Sequence, residues 1–250
     1  MIRKINFQPM AKVDETGDGC ALLVHSIFFT IQGEGPNVGM PAVFVRLGGC
    51  NLQCPGCDTE YTEDAAIEPI ESILTRVRLA FGNYKGERLV VITGGEPFRQ
   101  NIIPLSNTLI KAGHPVQVES NGTLGLTESP FAPPLFSIVV SPKAGKVHPT
   151  LYPYITAYKY VLDSNNVDPR DGLPTSVLGM PAVPARPHEE FGGYVYVQPA
   201  DEPRDKNEYP LDKAYDPQAL NRLNLAVAVD SAMKFGYRLC LQTHKIVGLD

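Results

Sequence analysis

Gly48-Gly49-Cys50-Asn51-Leu52-Gln53-Cys54-Pro55-Gly56-Cys57-Asp58-Thr59 holds three of the chain's five cysteines within eight residues. Three thiols in one tight loop are a metal-binding pattern rather than a disulfide framework. The loop follows the apolar run Ala42-Val43-Phe44-Val45-Arg46-Leu47, so the cysteines leave the end of a buried strand, where parallel sheets and barrels carry their chemistry. Four cysteines would close a zinc or iron-sulfur site. Three can hold a cubic cluster and leave one iron open to an outside ligand.

The chain of 250 residues suits one domain with a substantial core, and 43% apolar residues argue against disorder. A net charge of -5 without any dense run of Lys and Arg excludes an electrostatic footprint for nucleic acid, which leaves a small-molecule substrate. No apolar run approaches the roughly twenty residues of a membrane helix. Met1-Ile2-Arg3-Lys4-Ile5-Asn6 lacks the apolar core of a signal peptide. A soluble, cytoplasmic protein is expected, and the odd cysteine count fits a reducing compartment. Cys20 and Cys240 read as ordinary thiols, Cys240 as a buried structural one.

Residues 1–20 read as an N-terminal extension with little pattern and a turn-rich end, Asp14-Glu15-Thr16-Gly17-Asp18-Gly19. A first strand is expected over 21–31, ending in Gln32-Gly33-Glu34-Gly35-Pro36. After the cysteine loop, Ile70, Ile73, Leu74, Val77 and Phe81 recur at helical spacing before Gly82. An alternation of strands and helices follows. Arg88-Leu89-Val90-Val91-Ile92 runs into Thr93-Gly94-Gly95-Glu96-Pro97, and a helix weakened by Pro104 is expected over 98–112. Pro115-Val116-Gln117-Val118 ends in Glu119-Ser120-Asn121, and Phe136-Ser137-Ile138-Val139-Val140 ends in Ser141-Pro142-Lys143. Ala157 to Leu162 ends in Asp163, and Tyr194-Val195-Tyr196-Val197 ends in Gln198-Pro199-Ala200-Asp201. A last helix over 216–235 leads to a short strand and Gln242-Thr243-His244-Lys245. Residues 164–193, rich in Pro and Gly, read as an irregular insertion with little to bury. Strand after strand ends in a small polar cluster, and in a parallel barrel or open parallel sheet those ends share the face of the cysteine loop.

Cys50-x3-Cys54-x2-Cys57 after a strand, together with Gly94-Gly95-Glu96-Pro97 after a later one, resembles the radical S-adenosylmethionine (SAM) enzymes. The resemblance implies an incomplete (β/α) barrel. It also implies a [4Fe-4S] cluster on the three cysteines, whose open iron takes the amino and carboxylate groups of S-adenosylmethionine. Gly94, Gly95 and Glu96 would hold the methionine amino group. Glu119, Asn121, Ser141, Pro142 and Lys143 would lie along the ribose and carboxylate, with Gln198 and Asp201 also on the cofactor and Gly56 and Asp58 near its adenine.

Ser26-Ile27-Phe28-Phe29-Thr30-Ile31-Gln32-Gly33-Glu34-Gly35, residues 41–59, Gln198-Pro199 and Gln242-Thr243-His244-Lys245 resemble, more specifically, the 7-carboxy-7-deazaguanine synthases. That resemblance implies a lyase acting on 6-carboxy-5,6,7,8-tetrahydropterin, with hydrogen abstraction at C6, ring contraction and loss of ammonia, in queuosine-type biosynthesis. It implies substrate contacts from Ile31, Gln32, Gly33, Glu34, Arg46, Thr93, His244 and Asp250, and Mg2+ on Thr59. A homodimer and a one-electron donor such as flavodoxin are implied as well. Residues 1–20 and 164–193 depart from the family pattern. Two rival readings are a glycyl-radical-enzyme activase, which shares the cysteine spacing and the Gly-Gly-Glu-Pro loop, and a structural zinc or iron-sulfur module closed by a His or by a fourth cysteine, Cys20 or Cys240.

Overall fold

Apolar runs separated by Gly- and Pro-rich turns become strands that stack side by side in a computed structural model, which describes residues 6–12, 17–202 and 216–249. The strands are β1 (Ala21–Ile31), β2 (Pro41–Leu47), β3 (Ala66–Pro69), β4 (Leu89–Gly94), β5 (Val116–Ser120), β6 (Phe136–Val140), β7 (Ile155–Leu162), β8 (Tyr194–Pro199) and β9 (Arg238–Leu239). They form one sheet in the order β3-β1-β2-β4-β5-β6-β7-β8-β9. Neighbours from β2 to β9 pair in parallel. The sheet does not close on itself, as an incomplete barrel requires. The expected parallel order fails at one edge, where β1 runs antiparallel to both β2 and the unforeseen short strand β3.

Along each parallel strand alternate residues serve two faces. Val43, Val45 and Leu47 of β2, Val90 and Ile92 of β4, and Tyr158, Tyr160 and Leu162 of β7 enter the main core. Helices α1 (Ile70–Phe81), α2 (Ile103–Lys111) and α3 (Pro217–Phe235) cover that face, with α1 burying Ile73, Leu74, Val77 and Phe81. The residues between them, including Phe44, Arg46, Thr93 and Lys159, point to the other face and line a cavity. In β1 the parity changes: Leu22 and Val24 face the core, a bulge interrupts the pairing with β2 between Val24 and Ser26, and Ser26, Phe28 and Thr30 then line the cavity. One extra residue turns the polar end of β1 inward.

Local chemistry sets the element ends. Gly82 ends α1, and Asp216 caps α3 by accepting hydrogen bonds from the Gln218 and Ala219 amides. The helix expected over 98–112 divides into a 3-10 turn at Pro97–Arg99 and α2. Pro104 begins α2, in the first turn where its missing N–H is no loss. A short helix, α4 (Thr243–Ile246), follows β9. Residues 164–193 bury Leu173 and Val177 at 2% exposure each, so this stretch has more to bury than its composition indicated. Among the described residues, no helix is long and apolar enough to cross a membrane.

β2 and β4 must approach closely at their C-terminal ends, where Leu47 pairs with Gly94. A Cβ on Gly94, at φ +136°, would lie 2.1 Å from the Leu47 carbonyl oxygen and 2.5 Å from its nitrogen. Gly113 also has a positive φ, +86°, but open space around it. Gly94→Ala is therefore expected to lower unfolding free energy by about 3 kcal/mol and Gly113→Ala by about 1 kcal/mol, measured by denaturant unfolding. Equal losses would show that the β2–β4 approach is not a constraint.

Candidate active site

The C-terminal ends of the parallel strands and the polar half of β1 enclose a cavity of about 1090 Å³. Cys50, Cys54 and Cys57 all line it. Cys50 and Cys54 are each 8% exposed, and burial pushes the Cys50 thiol up to about 12 and the Cys54 thiol above its ordinary value. Deprotonating them takes the charge of a bound metal. Among the described residues, no three His, Cys, Asp or Glu side chains converge on a single ion. Three thiols on one cavity offer one ligand to each of three irons, the donor set that a [4Fe-4S] cluster with one open iron would take. Cys20 is exposed, and Cys240 is buried against the Gly35 amide (3.3 Å) and the Gln198 side chain (3.5 Å).

Beside the cysteines, the Gly95 amide donates to Leu47 O (3.3 Å) and the Glu96 amide to Gly49 O (3.0 Å), which carries the β2–β4 pairing into the cysteine loop. Gly94 and Gly95 line the cavity. The Glu96 carboxylate is wholly buried and accepts hydrogen bonds from the Asn121 amide (2.7 Å), the Ser120 hydroxyl (2.8 Å) and the Phe98 amide (3.1 Å). Burial outweighs these bonds and raises its pKa to about 7. Its side chain thus builds the turn, and the glycines form the cavity wall. Asn121 also donates to the Asn51 side chain (3.1 Å), which in turn donates to Thr123 (2.9 Å).

Ser141 and Lys143 line the cavity, with Lys143 Nζ donating to the Ser141 carbonyl (2.9 Å) and hydroxyl (2.6 Å), while Pro142 is buried behind them. Burial lowers the Lys143 pKa. Gly56, Asp58, Gln198 and Asp201 line the cavity too. Lys245 of α4 bridges Asp58 (3.3 Å) and Asp201 (3.2 Å) across the mouth. Thr59 lies on the wall with its hydroxyl 3.4 Å from Asp58 Oδ1.

A second polar group gathers at the end of β1. Gln32 donates to Glu119 (2.9 Å), so Glu119 sits with the residues expected on the substrate as well as near the cofactor side. Glu34 is held by Lys159 Nζ and by Gln242 Nε2 (2.8 Å). Burial alone would raise the Glu34 pKa, but the Lys159 charge and these bonds bring it down to about 2. Burial opposes the Lys159 charge as well, and Glu34 and Glu119 hold it above its ordinary value. Arg46 lies over the Phe28 ring at 5.2 Å, and Phe28 stacks on Phe44 at 5.5 Å. Ile31, Thr93 and His244 line the same cavity.

Gly33 faces His244 directly: a Cβ there would lie 1.7 Å from His244 Nδ1. Burial lowers the His244 pKa, which keeps the ring neutral at neutral pH. Asp250 lies outside the described residues. Lys159 has no role in the sequence reading, and Gln242 enters it only within the Gln242-Thr243-His244-Lys245 motif. A lysine inside the apolar run Ala157-Tyr158-Lys159-Tyr160-Val161 was the available signal.

The family model of the Radical SAM superfamily matches residues 44–129, from β2 past β5. A 7-carboxy-7-deazaguanine synthase of Rhodospirillum rubrum is 42% identical over 241 residues, covering 95% of this chain and 96% of the relative. One of Rickettsia prowazekii is 40% identical over 245 residues, covering 94% and 92%. The crystal structure of QueE from Escherichia coli superposes with a TM-score of 0.58 at 21% identity, covering 88% of this chain and 93% of that one, which supports the fold. The cysteine wall, the glycine pair beside it and identity over nearly the full length of two relatives lead to one conclusion: the chain belongs to the 7-carboxy-7-deazaguanine synthases of the radical SAM superfamily.

Proposed function

We propose that this chain converts 6-carboxy-5,6,7,8-tetrahydropterin to 7-carboxy-7-deazaguanine with loss of ammonia, using a [4Fe-4S] cluster, S-adenosylmethionine and Mg2+. The observation that carries the reading is that the cysteine loop and the Gln32 to Glu34 turn open onto one cavity. A cluster site alone would suit an activase, whose polypeptide substrate has no need of that turn. The single sheet supports reading residues 1–250 as one catalytic domain. Five free thiols suit a reducing, cytoplasmic setting. The homodimer and a flavodoxin-type electron donor belong to the same proposal on the strength of the resemblance.

When bound, the cluster and S-adenosylmethionine supply a radical that removes a hydrogen atom from the substrate. Cys50, Cys54 and Cys57 would hold the cluster. Gly94 and Gly95 would offer backbone to the methionine amino group, with Glu96 fixing their turn. Asn121, Ser141 and Lys143 would face the ribose and carboxylate, and Gly56, Asp58, Gln198 and Asp201 would close the adenine side. Gln32, Glu34 and Glu119 present acceptors and donors to the pterin amide and amine edge. Arg46 supplies the fork for the substrate carboxylate, and the Phe28 and Phe44 rings wall it off from water. The neutral His244 ring, with Thr93 and Asp250, would complete the substrate contacts. Thr59 gives Mg2+ one hydroxyl, so substrate oxygens and water would fill the remaining positions.

Anaerobic reconstitution should give a brown protein with about four irons per chain. That protein should turn over the carboxypterin, and Cys54→Ala should lose both colour and turnover. A colourless, zinc-loaded protein would overturn the reading.

Gly33→Ala and His244→Ala should each reduce kcat/KM. Because both displace the same ring, the double variant should lose no more than the worse single one; additive losses would separate Gly33 from His244.

Lys159→Met would strand the buried Glu34 carboxylate, and an expected loss of about 3–5 kcal/mol of stability should show in denaturant unfolding at pH 7. Glu34 has a depressed folded-state pKa, so the pair's contribution is complete above the unfolded value near 4.5 and fades as pH falls toward about 2. The variant's deficit should shrink over that window. A deficit independent of pH would remove the ion pair as its cause.

A further inference from the structure

Residues 6–12 and the 164–193 stretch meet at the cysteine loop. Residues 6–12 run along one side of the cysteine loop. Asn6 donates its amide to Pro55 O (2.9 Å), and Ala11 donates to Cys50 O (2.7 Å). Gln8 spans the end of the loop: its Nε2 donates to Thr59 O (2.8 Å), its Oε1 accepts from the Tyr61 amide (2.9 Å), and its carbonyl accepts from Gln53 Nε2 (2.8 Å). Arg99 ties the same segment down, donating to Lys12 O (2.8 Å) and to Gly48 O (3.0 Å) at the loop's start. On the other side, Leu178 of the insertion accepts the Gly56 amide (2.9 Å) and lines the cavity. Leu178 takes this position in the left-handed region, at φ +49°, which a leucine adopts at a cost.

A segment kept for general stability would bury its apolar side chains. This one leaves Phe7 85% and Met10 63% exposed and directs its polar groups onto the loop. Bonds within the loop are local, among them Cys57 N–H to Cys54 O (3.1 Å), Leu52 N–H to Cys50 Sγ (3.4 Å) and Cys57 Sγ to Thr59 O (3.8 Å). We infer that residues 6–12 and the Leu178 turn form a two-sided brace that holds the cysteine loop in its cluster-binding shape and slows loss of the cluster, with Gln8 as the main positioning residue. The inference rests on the cluster reading above. It assigns Gln8 no contact with substrate or cofactor.

The test uses the full chain and its Gln8→Ala and Gln8→Glu variants. In the iron-free proteins, amide hydrogen exchange at Tyr61 should quicken about tenfold in Gln8→Ala, the loss of roughly one to two hydrogen bonds, while β6 amides keep the parent's rates. Gln8→Glu keeps an acceptor for Tyr61 but no donor for Thr59, so Tyr61 should stay protected. In the reconstituted proteins, the visible cluster absorbance should bleach in air several-fold faster in Gln8→Ala than in the parent. A parent that binds iron, with Gln8→Ala matching it in both measurements, overturns the brace alone. A parent that binds no iron overturns the cluster reading and the brace together.

Discussion

The site depends on how closely the ends of β2 and β4 come together. Glycines 94 and 95 remove the side chains that would strike Leu47 and Gly49, and backbone hydrogen bonds continue from the strand pair into the first residues of the cysteine loop. Glu96 extends that join to a third strand, since its carboxylate takes the Asn121 amide and the Ser120 hydroxyl at the end of β5. Asn121 then reaches back to Asn51 beside Cys50. Three strand ends are locked into one rigid rim by groups that are neutral donors apart from a single carboxylate. A rim of this kind lets three thiols wait in a fixed arrangement, so the entropy of ordering them is met by folding.

Much of this fold was legible because its signals are local. The spacing of Ile70, Ile73, Leu74, Val77 and Phe81 marks α1 from end to end, and apolar runs ending in Gly, Glu, Ser or Lys mark the parallel strands. Pro104 misled because the same residue weakens a helix interior and starts a helix, and only the turn built by Glu96 decides between the two. The bulge in β1 has no sequence mark of its own. It appears only when the parity of Leu22 and Val24 is compared with that of Ser26, Phe28 and Thr30.

The site residues divide the same way. Cysteines at fixed spacing, and glycines before a Glu-Pro pair, carry their chemistry in the order of the letters. Lys159 does not, because its meaning depends on Glu34, which is 125 positions away in the chain. Gln8 is harder still. Its partners include the Thr59 carbonyl and the Tyr61 amide, backbone atoms that every residue type has, so no pairing of side-chain types announces it. The insertion is legible as irregular from its Pro and Gly content, while the burial of Leu173 and Val177 follows from a surface that other segments provide.

Two buried carboxylates in this cavity region are driven in opposite directions, and the contrast describes the site's electrostatics. Burial raises both. Glu96 meets mainly neutral donors, and burial outweighs their bonds and the charge of Lys143, so its pKa rises to about 7. Glu34 meets the Lys159 ammonium and falls to about 2. A cluster on three thiolates concentrates negative charge on its side of the cavity, where a fully ionised Glu96 would be costly. At the other side a fixed negative charge on Glu34 is stable because its cation is buried with it. The cavity thus holds one buried carboxylate, Glu96 beside the cysteine loop, by neutral hydrogen bonds and the other, Glu34 at the end of β1, by a paired charge. The division falls between Glu119, joined to Gln32, and Asn121, joined to Glu96, two residues apart at the end of β5.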